Sequence, residues 1–417
     1  MYESLSTVLS SDLNFHNEVS TYSSHGIHVF AAKFPPQLPR IFIESFTQPG
    51  DIVLDPMNGS GTTLLESYIL LRRGMGCDID PLSIKMTRVK TTPLDVDFNR
   101  VIPEIIDNAY CLLKETDKIN NMLNYRFDKE TKEFIDYWFF PETQMELMAL
   151  ILAIEKYSNN EQIKELLEVI FSGIIITKSG GVSRAIDLAH SRPHFDPEKK
   201  PKSAIKAFEQ RLLKFTPVIS TLPVHRYNPI IWQGNAKNIC VDDDSVHLIV
   251  TSPPYANAID YMRANKFSLV WLGEPISKLR EIRSTSIGNE ATANFKMETL
   301  PKYSEDILKT LKSKNVKKEA ILRKYYIEMR DAMKEMHRVL ISGHYAILVV
   351  GTSTMCGIDV KTPQCLANIA EQDIGFSLEA IQSRVLDRNR RMMPFSNGKT
   401  SIEQRMLTEE IIILKKK

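Results

Sequence analysis

Residues 51–63 read Asp-Ile-Val-Leu-Asp-Pro-Met-Asn-Gly-Ser-Gly-Thr-Thr: a short apolar run ending in an acid, then a turn with two glycines, then the helical run Leu64-Leu65-Glu66-Ser67-Tyr68. Strand, Gly-rich turn and helix in that order open a nucleotide-type βα unit. Gly59 and Gly61 let the backbone come close to a ligand, while the amides at the helix start meet its carboxylate. The spacing is not G-x-x-x-x-G-K-[ST], so a phosphate-cradling loop is not expected. Nor is it G-x-G-x-x-G, which makes a nicotinamide-dependent oxidoreductase a poor reading. Downstream, Gly74-Met75-Gly76-Cys77-Asp78-Ile79-Asp80-Pro81 reads as a second strand with an acid at its tip. Doubly wound folds hydrogen-bond a ribose hydroxyl at that place, and Asp78 is the candidate. A helix cap is the plainer reading of a lone acid after a strand.

Much later the apolar run Val246-His247-Leu248-Ile249-Val250 leads into Thr251-Ser252-Pro253-Pro254-Tyr255. Alone, this is either a Pro-rich turn behind a buried strand or a device for presenting acceptors to an amino group. The exocyclic nitrogen of a base is a poor nucleophile because its lone pair is delocalised into the ring. It needs acceptors that bond its hydrogens and draw it toward tetrahedral geometry. Ser252 Oγ is one acceptor, and the carbonyl of Pro253 is another, since a Pro-Pro step fixes φ and removes two N–H donors. Tyr255 offers a ring on which a base can stack, offsetting an extrusion cost of roughly a few kcal/mol. The motif holds no Cys, which disfavours the covalent chemistry of C5-cytosine methylation.

Together these residues resemble the DNA amino-methyltransferases, which make N4-methylcytosine or N6-methyladenine with S-adenosylmethionine. The resemblance implies that the segment from Asp55 to Thr63, with Pro56, Gly59, Ser60, Gly61 and Thr62, embraces the methionine part of the cofactor. It implies that Asp78, with Ile79 beside it, holds the ribose, and that Ser252, Pro253, Pro254 and Tyr255 receive the target base. Ala32-Lys33-Phe34-Pro35-Pro36-Gln37-Leu38-Pro39 is similar to the segment that precedes the cofactor loop in this family. It would bring Lys33, Phe34 and Pro35 to the cofactor. Gly234-Asn235-Ala236 looks like the family's Gly-Asp-Ala segment, with Asn235 in place of the acid; an amide donates and accepts but carries no charge.

The cofactor motifs precede the catalytic one, and the intervening stretch is far longer than the usual loop of about 2 to 6 residues in an α/β unit. The expected partition is a cofactor part at 1–95, a mainly helical insertion for target recognition at 96–230, and a catalytic part at 231–417. Within the insertion, Ile163, Leu166, Leu167, Ile170 and Ile174 form a core-facing helical stripe after the cap Asn159-Asn160. The basic, Gly-broken stretch from Thr177 to Lys206 includes Lys178, Arg184, Arg192 and Lys199 and is the first candidate for DNA contact. Lys278 to Arg283, with Arg280 and Arg283, is the second. An ordinary charged surface loop is the alternative for both.

In the last third, Tyr326, Met329, Met333, Met336 and Leu340 give a core-filling helical stripe. Ser342-Gly343 then turns into a strand over His344 to Val350, and Glu410 to Leu414 is a terminal strand. Between the late strands lies the basic loop Arg388 to Pro394, a further possible approach to DNA. The expected fold is therefore α/β: a doubly wound, mostly parallel, seven-stranded Rossmann-like methyltransferase sheet with an antiparallel edge strand and a large helical insertion.

Composition agrees. The chain has 417 residues, 43% of them hydrophobic, ample for an α/β domain with an insertion. The net charge of +2 is compatible with DNA binding if the basic residues gather on one face. No apolar run reaches the length of about 18 residues that spans a membrane, and the first residues lack a signal-peptide pattern, so a cytoplasmic enzyme is expected. The 5 scattered cysteines form no C-x-x-C, and no metal is expected. The function expected is methylation of N4 of a flipped-out cytosine in double-stranded DNA, with a restriction endonuclease as a possible partner. In the family, Ser in the first motif position is commoner in cytosine-modifying members and Asp in adenine-modifying ones. N6-adenine methylation is the near alternative; an RNA base amino-methyltransferase and a non-catalytic DNA-binding module are remoter ones.

Overall fold

The structure is a computed structural model that describes residues 4–177, 181–186, 188, 193–256, 260–293, 295–387 and 407–417. Seven strands form one sheet: β1 Ile52–Asp55, β2 Arg73–Asp78, β3 Ile230–Gln233, β4 Val246–Thr251, β5 Leu340–Gly351, β6 Phe376–Val385 and β7 Thr408–Lys416. Their order is β6-β7-β5-β4-β1-β2-β3. β1 pairs in parallel with β2 and β4, β2 with β3, and β4 with β5. β7 runs antiparallel to both β5 and β6, so the reversed strand of the edge pair lies one position in from the outermost strand. The chain winds outward from β1 in one direction and from β4 in the other. Ligands of open α/β sheets bind at such a switch point, outside the carboxyl ends of the strands.

Alternation along the strands divides the apolar side chains between two layers. On one face Val53, Leu248, Val250, Ile347, Val349, Ile411 and Ile413 pack against Phe34, Leu38, Phe42 and Phe46, from and just before the helix Gln37–Phe46. On the other, Leu54, Ile249, Ala346, Leu348, Val350, Ile412 and Leu414 meet Tyr325, Tyr326, Met329, Met333 and Met336 of the helix Val316–Val339. The methionine stripe is core. Ser342-Gly343 makes no turn between helix and strand, because β5 already begins at Leu340. Gly343 takes its positive φ of 82° inside the strand, close to where the pairing with β4 shifts register.

Among the described residues, six helices lie between 96 and 230: Phe98–Lys114, Thr116–Tyr125, Lys129–Trp138, Pro141–Glu155, Glu161–Ile175 and Ala204–Ile219. Asn160 caps the fifth, its Oδ1 accepting from Ile163 N at 3.1 Å, and the stripe from Ile163 to Ile174 is buried. The helices do not build a core of their own. Their apolar residues join Leu82, Met86 and Val89 of the helix Pro81–Thr91, and Phe267, Trp271 and Leu279 from beyond β4, in one cluster. Lys85 with Glu168 at 2.6 Å and Arg88 with Glu165 at 3.0 Å add ion pairs across the same seam. No helix among the described residues is long and apolar enough to cross a membrane.

Candidate active site

The tips of β1, β2 and β4 meet at the switch point. Asp55, at the end of β1, is buried; its Oδ1 accepts from Thr251 Oγ1 at 2.6 Å and from Met57 N at 3.2 Å. The first bond ties the cofactor-side strand to the strand that carries Ser252. Burial lifts the Asp55 carboxyl to about 6. Asp78, at the end of β2, is partly buried and holds the Gly-rich turn: Oδ2 accepts from Gly59 N at 2.7 Å and Oδ1 from Asp80 N at 2.9 Å. Burial, and then the neighbouring Asp80 charge, push it up to about 7. The helix cap is Asp80, whose Oδ1 accepts from Leu82 N at 2.9 Å while Oδ2 accepts from Asn265 Nδ2 at 2.6 Å. The capping role therefore falls to the second acid and leaves Asp78 at the cavity. Gly61 caps the helix Thr62–Ile69 at φ +75°, and a β-carbon there would collide with the side chain of Thr87.

In front of these tips lies a cavity of about 470 Å³. Pro56, Met57, Gly59, Asp78, Ile79 and Asn235 line it, together with Ser252, Pro254, Asp260, Tyr261, Arg263 and Arg283. Phe30 and Tyr261, both on the lining, stack on each other with ring centroids 4.7 Å apart and planes 16° from parallel. Ser252 Oγ donates its hydrogen to the Val349 carbonyl at 3.0 Å, which leaves the oxygen to act toward the cavity as an acceptor. Pro253 is buried, and the Pro254 carbonyl accepts from the Tyr325 hydroxyl at 2.9 Å. Tyr255 is not on the cavity lining; its hydroxyl donates to Glu409 Oε1 at 2.6 Å.

The DNA methylase family profile matches residues 6–88. The Type II methyltransferase M.MvaI of Kocuria varians is 24% identical over 97% of this chain and 93% of its own length. M.BsoBI of Geobacillus stearothermophilus is 27% identical over 65% of this chain and 57% of its own. These likenesses support an amino-methyltransferase of the N4-cytosine/N6-adenine family. A solved S-adenosylmethionine-dependent methyltransferase from Methanosarcina mazei is 10% identical, covers 90% of this chain and 96% of its own, and has a TM-score of 0.32, too weak a likeness to add to the strand order.

The cofactor of this methyltransferase is S-adenosylmethionine, and the residues at the tips of β1 and β2 fit it. Asp78 presents to the cavity carboxylate oxygens that would accept from ribose hydroxyls, Gly59 lets the Phe30 ring pack to within 3.3 Å of where a β-carbon would stand, and Ile79 and Asn235 belong to the same lining. Of the cofactor residues expected from sequence, Pro56, Gly59, Asp78, Ile79 and Asn235 reach the cavity. Asp55, Ser60, Gly61 and Thr62 lie behind it, with the Ser60 and Thr62 hydroxyls 3.1 Å apart. Lys33, Phe34 and Pro35 do not reach it. Lys33 Nζ donates to the His25 carbonyl at 2.8 Å, Pro35 is buried, and Phe34 belongs to the layer under the sheet. The apolar stripe of the following helix draws Phe34 down with it, and Phe30 supplies the aromatic wall instead.

Arg280 and Arg283 stand at the cavity rim with Arg263. Arg283 Nε lies 2.5 Å and Arg263 Nε 3.0 Å from the same Asp260 oxygen, and Arg280 pairs with Glu130. Arg184 is not extended toward solvent: its guanidinium is stacked between Phe195, at 4.1 Å from the ring centroid, and Phe140, at 4.9 Å. Lys199 Nζ donates to the Ala185 carbonyl at 2.7 Å. This bond and the two stacks fasten the short pairing of Ala185–Ile186 with His194–Phe195. Lys178, Arg192 and the basic run 388–394 lie outside the described residues. Among the described residues no group of His, Cys, Asp and Glu is arranged to hold a metal. Sequence reasoning missed Phe30, Tyr261 and Glu409, whose partners lie far away along the chain and leave no local pattern, and Arg263, which pairs with Asp260 three residues before it.

Proposed function

We propose that this enzyme methylates N4 of a cytosine swung out of double-stranded DNA. The observation that carries the reading is Ser252 on the cavity wall with its hydrogen already engaged by Val349. Such an oxygen accepts from an amino group and does not compete as a donor. With the Pro253 carbonyl it would bond the two amino hydrogens, draw the lone pair out of the ring and aim it at the cavity's cofactor side. S-adenosylmethionine, when bound, supplies an electrophilic methyl on a sulfonium. Gly59, Asp78, Ile79 and Asn235 would hold that cofactor, Ser252 and the Pro253 carbonyl would keep the nitrogen's lone pair aimed at it, and the extra proton of the methylated nitrogen would leave to solvent. Holding the nucleophile and the methyl in register supplies much of the rate.

The helices between 96 and 230 are proposed to read the target sequence, supported by their common core with both motif-bearing parts of the chain. Arg263, Arg280 and Arg283 are proposed to meet phosphates at the rim, exchanging Asp260 and Glu130 for the backbone of the DNA. The Type II methyltransferase names of the relatives support a place beside a restriction endonuclease.

Incubation with unmethylated DNA and S-adenosylmethionine, digestion to nucleosides and mass spectrometry test this. N4-methylcytosine is expected. N6-methyladenine would replace the base assignment and keep the chemistry, and an unmodified digest would overturn both.

A further inference from the structure

The steps above leave unused a buried ionic pair at the carboxyl edge of the sheet. Because β7 runs against its neighbours, its first residues arrive beside the end of β5: Glu409 is paired with Gly351 on one side and with Arg384 on the other. Arg384 is 1% and Glu409 5% exposed, and Arg384 Nη1 lies 3.6 Å from Glu409 Oε2. A charged pair in such a place costs folding energy that apolar residues would not, so its retention calls for a reason. The remaining oxygen, Oε1, accepts the Tyr255 hydroxyl at 2.6 Å. Burial, and then the Glu409 charge, hold that phenol well above its ordinary value, so it stays a donor. On the backbone side of the same ring, Tyr325 holds the Pro254 carbonyl. Tyr255 is thereby fastened at both ends.

We propose that Glu409, balanced by Arg384, is a positioning residue for methyl transfer: by holding the Tyr255 hydroxyl it anchors the strand end that presents Ser252 and Pro254 to the cavity. The inference rests on the base-receiving reading of Ser252 to Tyr255. It adds the C-terminal strand to the machinery of the site. A Tyr255 ring free to swing would let the adjoining Ser252-Pro253-Pro254 segment shift, and misplacement by about 1 Å can cost on the order of 100-fold in rate.

The test uses two double variants of the full chain, Arg384→Met/Glu409→Gln and Arg384→Met/Glu409→Leu. Neither leaves an isolated charge in the core, and only the first keeps an acceptor for the hydroxyl. A fluorine resonance from 3-fluorotyrosine at position 255 reports the ring without any need for turnover, and single-turnover methylation reports the rate. The Leu variant should shift the resonance and lower the rate at least about tenfold, with S-adenosylmethionine affinity within about twofold of the parent. The Gln variant should recover the rate to within about threefold. Tyr255→Phe, which has no hydroxyl to hold, should slow the reaction similarly, and adding the Leu pair to it should cost little more. An unmoved resonance, or equal rates for the Gln and Leu variants, would overturn the proposal. A parent protein that modifies no base, while its resonance still responds to the Leu variant, would overturn the base-receiving reading and the proposal with it.

Discussion

The two halves of the cavity are built in opposite ways. On the cofactor side, Asp55, Gly59, Gly61 and Asp78 lie within one βαβ unit, and the turn is held by Asp78 accepting from Gly59 N. On the base side, the five residues Thr251 to Tyr255 are local, but everything that orients them is remote: Val349 for Ser252, Tyr325 for Pro254 and Glu409 for Tyr255. The wall at the tips of β1 and β2 is shaped by a turn that a short peptide pattern dictates. The wall that carries Ser252 is shaped by groups whose directions depend on how distant regions of the chain are brought together.

The comparison breaks if the halves do not fail separately. The largest effect is expected from Ser252→Ala, which should cut single-turnover methylation on the order of 100-fold, as loss of a group aimed at the reacting atoms does, while calorimetry shows unchanged S-adenosylmethionine binding. A matching loss of cofactor affinity would mean that the halves are one unit. On the other side, Gly61→Ala forces a positive φ on a residue with a β-carbon and crowds Thr87. It should cost about 2 kcal/mol of stability, visible as a lower melting temperature, and weaken cofactor binding.

The pH dependence sharpens the contrast. Asp55 and Asp78 are raised to about 6 and about 7 by burial. A raised carboxyl favours its neutral form in the fold, so the contribution of these groups to stability is full at pH values below the unfolded-state pKa near 4. It is lost as pH climbs through the folded values, and the cofactor-free protein should melt progressively lower between about pH 4 and 7 on their account. Ribose hydroxyls prefer an ionised Asp78, so S-adenosylmethionine affinity should fall about tenfold per unit below pH 7. Asp78→Asn should flatten that slope; an unchanged slope would remove Asp78 from cofactor binding. The smallest effect belongs to the rim: Arg283→Ala should weaken DNA binding a few-fold and reduce the slope of log affinity against log salt by about one, with no change in cofactor affinity.

Legibility followed the same division. The glycine turn, the acid at the tip of β2 and the Ser-Pro-Pro-Tyr strand end were readable because each needs particular residue types at fixed short spacing. The methionine stripe of the helix Val316–Val339 was readable from its period. Several readings changed on contact with the fold. Phe34 went to the core and Phe30 to the cavity, because a seam of packed side chains, not the Lys-Phe-Pro-Pro pattern, selects which aromatic faces the site. Arg184 lies between two aromatic rings instead of reaching outward. Asp80 caps the helix after β2, so the plainer alternative for Asp78 falls away and Asp78 stays on the cavity lining.

By itself the sequence determined the chemistry class and the sheet that serves it, since strand tips, glycine turns and helix periods are set by interactions within a few residues. Only the tertiary structure decided where Ser252 sends its hydrogen, which acids stay buried, and that Tyr255 answers to a glutamate on the last strand. Those depend on strand order and on the reversed direction of β7, which bring residues more than 90 positions apart to within one hydrogen bond.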